Sequence, residues 1–488
     1  MSFIKRFLSV SGAVIGTTAI GFVIQPVFVR LLGSADYGDY ATVMSTLSLC
    51  MVAVNSGIFD GLRKHIPEDG DENRKSIIFA FYLRLGILLV GVAAMLLYAS
   101  QWILPESTIQ EVRPFLLIFI AMLFGDQLLR IVRGTLMGLR LEKYSEPLMV
   151  GRKFIFGSFG ALFAYLGWGA IGPLAGYIIS SVSIGVVGLL FISSHLSFWS
   201  VLTGVGSDVS RKRLLSYNIS TTILLFLTVS LYHVDILLLR LISDASTTGY
   251  YNAALVVAGF IWIIPKAAQF VLLPSASTLW SDSDYDEITR LCSQATRYIL
   301  LFSTLLVCGV FILADPFFRI YYGSDFLVAT SPLRMLLPGV LFFSVARPIF
   351  AIGQGSNKLW PLILATGGSS ALNFLLNLVL IPMYGMIGAA VATSIGYGSM
   401  LVFHTWAARL LGYNPIGDIR GMRIFMTAAV TLSVLYPISQ YVTGYVSLVI
   451  IPPIGAIIYL AAAALTGAID PSDVKKTRDW FSKNVDIG

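Results

Sequence analysis

The chain has 488 residues, enough for about three soluble domains, yet 56% of them are apolar, only 12% are charged and the mean hydropathy is +0.81. A water-facing surface needs roughly twice that charged fraction, which excludes a soluble enzyme, a disordered chain and a secreted disulfide scaffold. Of the three cysteines, Cys50, Cys292 and Cys308, two lie in apolar runs where a thiol is a small hydrophobe, and the formal charge of +7 means nothing until the basic residues are placed.

About 20 apolar residues cross a bilayer as a helix. That ruler predicts spans near 7–32, 40–62, 76–100, 113–139, 153–167, 170–193, 214–240, 250–274, 294–314, 331–354, 360–381, 386–408, 422–443 and 445–467. The fifth is the shortest, divided from the sixth around Gly167 to Gly172. No period-2 alternation of the outer-membrane-barrel kind occurs, so the expected class is an all-α integral membrane protein of about 14 helices. The first run, after Lys5 and Arg6, is too long for a signal peptide and has no small-residue cleavage site, so it reads as a retained span.

Short loops rich in lysine and arginine stay on the cytoplasmic side. With the N-terminus inside, the inner loops and the tail hold 23 of the 33 basic residues, among them Arg152, Lys153, Arg211, Lys212, Arg213, Arg290, Arg297, Lys475, Lys476, Arg478 and Lys483. The outer side receives only Arg30, Arg113, Arg240, Arg319 and Arg334. Both termini are therefore expected in the cytoplasm and the protein in the cytoplasmic membrane. The net charge reflects this asymmetry and implies no nucleic acid.

The two halves of the chain repeat one another. Arg30 and Leu31 of PVFVRLLGSADYGDYATV match Arg240 and Leu241 of DILLLRLISDASTTGYYNAALVV, and Gly38 matches Gly249. Lys143 and Pro147 match Lys358 and Pro361, while Gly169 and Gly172 match Gly385 and Gly388. Three anchors at nearly one offset give two six-helix repeats. The expected domains are an N-terminal lobe over 1–200, a C-terminal lobe over 201–410, two extra helices over 411–470 and a cytoplasmic tail over 471–488. An even helix number gives both repeats one orientation, the arrangement in which transporters hold a substrate between halves.

Five basic residues fall inside spans, Arg84, Arg130, Arg133, Lys266 and Arg347, against the acids Asp126 and Asp235. A charge near the bilayer centre is costly and faces a protein interior or a wet path. Asp126, Arg130 and Arg133 are spaced four and three apart and share one helix face. Lys266 comes directly after Pro265 and Arg347 precedes Pro348, where proline opens the backbone. Arg84, Arg133 and Arg347 also fit cations snorkelling to headgroups, and Asp126 with Arg130 also fits a structural pair. The one-signed surplus favours a cationic cavity that binds a phosphate or pyrophosphate through Arg130, Arg133, Lys266, Arg347 and Arg84, with Asp126 in a charge pair. Asp235, beside His233, and Asn373 and Asn377, one turn apart, fit a cation or proton site, or more plainly interhelical hydrogen bonds.

Several motifs mislead. GWGAIG from Gly167 matches a dinucleotide fingerprint but comes after no strand. DSDYD from Asp282 lacks the glycine and glutamate of a calcium loop and reads as a solvated acidic loop. There is no Walker A sequence, and His65, His195, His233 and His404 have no ligand spacing, so no cofactor and no metal are expected.

The strings PVFVRLLGSADYGDYA, VDILLLRLIS with TGYYNAA, YYGSDF at Tyr321 and IPMYGMIGAAVATSIGY at Ile381 resemble the polysaccharide flippase family. That family lies within the multidrug/oligosaccharidyl-lipid/polysaccharide exporter superfamily. The resemblance implies two lobes around a central cavity, alternating access, and movement of a polyprenyl- or dolichyl-phosphate-linked glycan to the outer leaflet, with the bilayer and glycan assembly enzymes as partners. It implies cavity cations, to which Arg130, Arg133, Lys266 and Arg347 correspond by character. The alternatives are a drug or cation antiporter of the same superfamily, which should favour acidic cavity residues, and a polysaccharide polymerase or ligase. The latter needs a larger outer loop than the 18 or so residues found here.

Overall fold

A computed structural model describes residues 3–55, 57–68, 71–103, 106–196, 214, 219–356 and 358–469. Every regular element among them is helical. In chain order they are α1 (Phe3–Asn55), α2 (Ile58–Glu68), α3 (Glu72–Ser100), α4 (Glu106–Gly138), α5 (Glu142–Tyr165), α6 (Ile171–Ser193), α7 (Ile219–Ile242) and α8 (Ala245–Gly259). The later helices are α9 (Ile263–Ser281), α10 (Tyr285–Tyr321), α11 (Thr330–Gly355), α12 (Trp360–Leu410), α13 (Gly421–Tyr441) and α14 (Gly444–Leu465). A 3-10 turn over Phe260–Trp262 joins α8 to α9.

Among the described residues, eleven stretches are long and apolar enough to cross a membrane. Two of them hold two crossings each. At about 1.5 Å per residue the 51 residues of α12 would run far beyond a hydrocarbon core of about 30 Å, and the helix turns at Gly385 (φ 55°, ψ −132°). Helix α1 turns likewise at Gly33 (φ 69°, ψ −174°). With α5, whose charges keep it from meeting the same apolar criterion, this makes the expected fourteen.

Two expected spans need correction. The second, placed at 40–62, ends at Asn55, and the residues beyond it form the separate amphipathic helix α2. Its Ile58, Leu62 and Ile66 are fully buried with Ile78, Phe79, Ile131 and Leu136 of α3 and α4, while Arg63 is exposed. The fifth, placed at 153–167, is a helix of 24 residues starting at Glu142. The expected start was too late because a ruler that rejects charges stops at Lys153, whereas here the charged turns are inside the fold.

By packing, the chain forms two compact units, Met1–Gly249 and Tyr250–Gly488. Helix α7 opens the second repeat by sequence but packs against α1 in the first unit. In the first unit Val43, Leu47, Met51, Phe119, Met122, Leu123 and Leu174 form a core shared by α1, α4 and α6. Gly38 and Gly249, equivalent in the repeat, meet backbone to backbone: a Cβ on Gly38 would lie 1.8 Å from Ala245 O, and one on Gly249 would lie 2.0 Å from Ser34 O. In the second unit α11 is the central helix, packed on α9, α10 and α12, and α13 and α14 pack on each other and on α10.

The repeat is also conformational. Gly169 and Gly385 have φ of 53° and 55°, and a side chain at either would be strained. The acidic run at Asp282 is a helix start: the Asp284 carboxylate accepts from Glu287 N at 3.0 Å and caps α10. The cations expected at Arg211, Lys212 and Arg213 and the tail over 471–488, with Lys475, Lys476, Arg478 and Lys483, lie outside the described residues.

Candidate substrate cavity and intramembrane cations

A cavity of about 440 Å³ opens in the first unit, among α1, α4, α5 and α6. Its charged lining is Arg133, Glu146, Arg152 and Lys153, and its aromatic lining is Tyr40, Phe156 and Tyr177. That volume lies in the range of small-molecule sites.

Helix α4 places Asp126 and Arg130 one turn apart, and Arg130 Nε donates to Asp126 Oδ2 at 2.7 Å. The Asp126 carboxylate is 4% exposed. Its other oxygen accepts from Tyr177 OH of α6 at 2.5 Å and lies 3.6 Å from Arg152 Nη2 of α5. Arg152 is held from two further directions: its Nε and Nη2 donate to Ser181 Oγ at 3.3 and 3.1 Å, and its Cζ sits 4.6 Å from the centre of the Tyr177 ring. Three helices thus meet on one carboxylate.

Arg133, one turn further along α4, pairs with the buried Glu146 of α5 at 3.2 Å. Lys153 stands over Phe156 at 5.3 Å, and no described carboxylate pairs with it. Gly21 of α1 makes room for its stem, since a Cβ there would lie 3.3 Å from Lys153 Cε.

The second unit handles its cations differently. The 3-10 turn just before Pro265 interrupts the helix and presents Trp262, whose indole Nε1 donates to Val340 O at 3.3 Å. Trp262, Phe343 and Tyr397 form a closed ring cluster with centroids 5.1 to 5.3 Å apart. Arg347 of α11 lies over two of these faces, 4.7 Å from Phe343 and 5.3 Å from Trp262, and donates to Gln269 Oε1 at 3.1 Å. Lys266 stands 5.6 Å over Trp262. These are cation–π distances.

Of the cations singled out by sequence, Arg133 lines the cavity and Arg130 is joined to it through Asp126. Lys266 and Arg347 share Trp262 in the second unit. Arg84 is half-buried on α3 and is not part of the cavity lining. Asp235 is buried in the first unit, where it accepts from Ile236 N at 2.9 Å, and His233 Nδ1 lies 3.1 Å from Ser45 Oγ. Asn373 and Asn377 are buried in the second unit. Asn373 donates to Thr393 Oγ1 at 3.3 Å and Asn377 to Asn373 O at 2.9 Å, while their Oδ1 atoms have no donor. No group of three or more His, Cys, Asp or Glu suited to a metal occurs among the described residues.

Sequence reasoning missed Glu146, Arg152, Lys153 and Tyr177. Arg152 and Lys153 were expected in an inner loop. From Glu142 to Tyr165 the chain runs as one helix of about 36 Å, and its local sequence does not show that other helices meet its charges.

The polysaccharide biosynthesis protein family model matches residues 3–280, and the lipid II flippase MurJ family model matches residues 162–456. The probable flippase AglR of Haloferax volcanii is 24% identical over 93% of this chain and 92% of its own length. The structure of lipid II flippase MurJ in an inward closed conformation superposes with a TM-score of 0.76 at 17% identity, covering 95% of this chain and 98% of that one. A multidrug resistance MATE family transporter of the MOP superfamily, in an inward-facing conformation, superposes at 0.64 with 12% identity, covering 84% and 99%. The protein is a multi-pass membrane protein. Two family models that each match more than half of the chain lead to one assignment: the chain belongs to the polysaccharide biosynthesis protein family, with the lipid II flippase MurJ family model matching as well.

Proposed function

We propose that the protein moves a polyprenyl- or dolichyl-(pyro)phosphate-linked sugar or oligosaccharide across the cytoplasmic membrane by alternating access. The product would feed assembly of a surface polysaccharide or a glycoprotein glycan, with the assembly enzymes as partners. The observation that carries this reading is the wall of the first-unit cavity. It gathers Arg133, Arg152 and Lys153 beside aromatic rings, with Arg130 linked through Asp126. Cations held in place suit the phosphate oxygens of a headgroup, the sugar occupies the wet cavity, and the apolar tail stays in the bilayer. Lys266, Arg347 and Arg84 are further phosphate contacts along the path. Both termini face the cytoplasm in this scheme.

The chain has no Walker A sequence for nucleotide hydrolysis, and the driving force is an ion gradient, the membrane potential or consumption of the product outside. The donor-free Oδ1 atoms of Asn373 and Asn377 support a small cation there, and Asp235 is the acidic candidate of the first unit.

The test is sidedness of the lipid-linked sugar in a strain lacking the protein. Accumulation on the inner face, reversed by the wild-type chain and not by an Arg152→Ala, Lys153→Ala double variant that still inserts, is the expected result. Unchanged sidedness, with loss of drug resistance instead, would establish the antiporter reading.

A further inference from the structure

We infer, resting on the flippase reading of the first-unit cavity, that its wall is matched to a headgroup carrying two negative charges. Arg152 and Lys153 read those charges, and Asp126 is the positioning residue that sets how many cations remain to read them.

Helices α4 and α5 bring Arg133, Arg152, Lys153 and the carboxylate of Glu146 to this wall, and behind it Asp126 and Arg130 join the same network through Tyr177 and Arg152. The carboxylates of Asp126 and Glu146 are 4% and 1% exposed, so water does not screen them and each must be matched by a cation. Glu146 takes Arg133 at 3.2 Å. Asp126 takes Arg130 at 2.7 Å through one oxygen; the other accepts from Tyr177 and is 3.6 Å from Arg152. Asp60 of α2 has its own partner in Arg63 at 4.0 Å. Two carboxylates against four cations leave two positive charges, and the residues least committed to an acid are Arg152 and Lys153, neighbours in the chain that both line the cavity.

Their chemistry differs in a useful way. Ser181 and the Tyr177 face fix the guanidinium of Arg152, so it presents a rigid fork, whereas Lys153 is a point charge on a flexible stem. A phosphodiester carries one charge and would leave one of these two cations without an anionic partner. A headgroup with two charges matches both. Two sources supply that chemistry: a pyrophosphate diester, and a phosphodiester joined to an acidic sugar.

The experiment uses the full-length protein in nanodiscs with three farnesyl probes: N-acetylglucosamine linked through pyrophosphate, glucose linked through one phosphate, and glucuronate linked through one phosphate. The dianionic probes should bind about tenfold tighter than the monoanion, ~1.4 kcal/mol. Lys153→Gln should cut that preference to about threefold or less, and Lys153→Arg should keep it. If only the pyrophosphate probe gains, the second charge is the second phosphate; if only the glucuronate probe gains, it is the sugar acid. Equal affinity for all three in the wild type overturns the charge match and leaves the flippase reading standing. Binding of none overturns both. Should Lys153→Gln fail to fold, the wild-type ranking and Lys153→Arg still decide.

Discussion

The two units keep cations in apolar surroundings by different means. In the first, Arg130 and Arg152 converge on one carboxylate and Arg133 has its own. In the second, Arg347 lies across Trp262 and Phe343 with an amide oxygen, and Lys266 stands over the same indole. A carboxylate neutralises a cation outright, and losing it strands the charge; an aromatic face lowers the cost of the charge without cancelling it. The first unit therefore carries a charge count set by its own acids, while the second presents cations whose positive charge is softened yet still available.

The sharpest way to break this contrast is Asp126→Asn. Breaking a buried pair costs about 3–5 kcal/mol, and because the Arg130 side chain is 41% exposed the expected loss is about 3 kcal/mol, read as a lower thermal midpoint in detergent. Adding Arg152→Gln in that background should recover part of it, with a coupling of about 1 kcal/mol in the double-mutant cycle; strict additivity would mean that the two side chains do not share a site. Next in size is Trp262→Leu, which removes a ring under two cations and an indole hydrogen bond. A loss of about 2 kcal/mol is expected, with Arg347 and Lys266 then gaining nothing from their positions. Arg347→Gln should cost about 1 kcal/mol and Arg347→Lys less, measured by the same melts. Smallest in stability are Lys153→Gln and Lys266→Gln, each within about 0.5 kcal/mol, yet both should lower transport of lipid-linked sugar at least tenfold. A stability loss as large as that of Asp126→Asn would show the lysines to be structural.

Much of the fold was legible in the chain. Apolar runs of the right length located most of the spanning helices among the described residues, because a bilayer fixes helix length, and Gly169 and Gly385, matched by sequence, adopt the same left-handed conformation. The errors at the second and fifth spans share one cause. Segments such as Ile58–Glu68 and Glu142–Arg152 mix charge with apolar residues, and a hydropathy sum cannot tell a loop from a helix whose charges are met by another helix.

The candidate site was legible in part. Asp126, Arg130 and Arg133 stood out by spacing alone, since residues three and four apart share a helix face. Arg152 and Lys153 did not, because nothing near them in sequence marks them as buried: the partners that allow it, Asp126, Tyr177 and Ser181, lie 25 to 29 positions from Arg152 on other helices. The Trp262 cluster was invisible for the same reason, as it forms only when α11 and α12 bring Phe343 and Tyr397 to the break before α9. Sequence by itself determined the class, the number of crossings, the duplication and the family, all of which derive from local apolarity and from order along the chain. Only the tertiary structure decided which cations face the cavity and which are spent on acids, because the free energy of a charge in a membrane protein is set by the partner that another helix delivers.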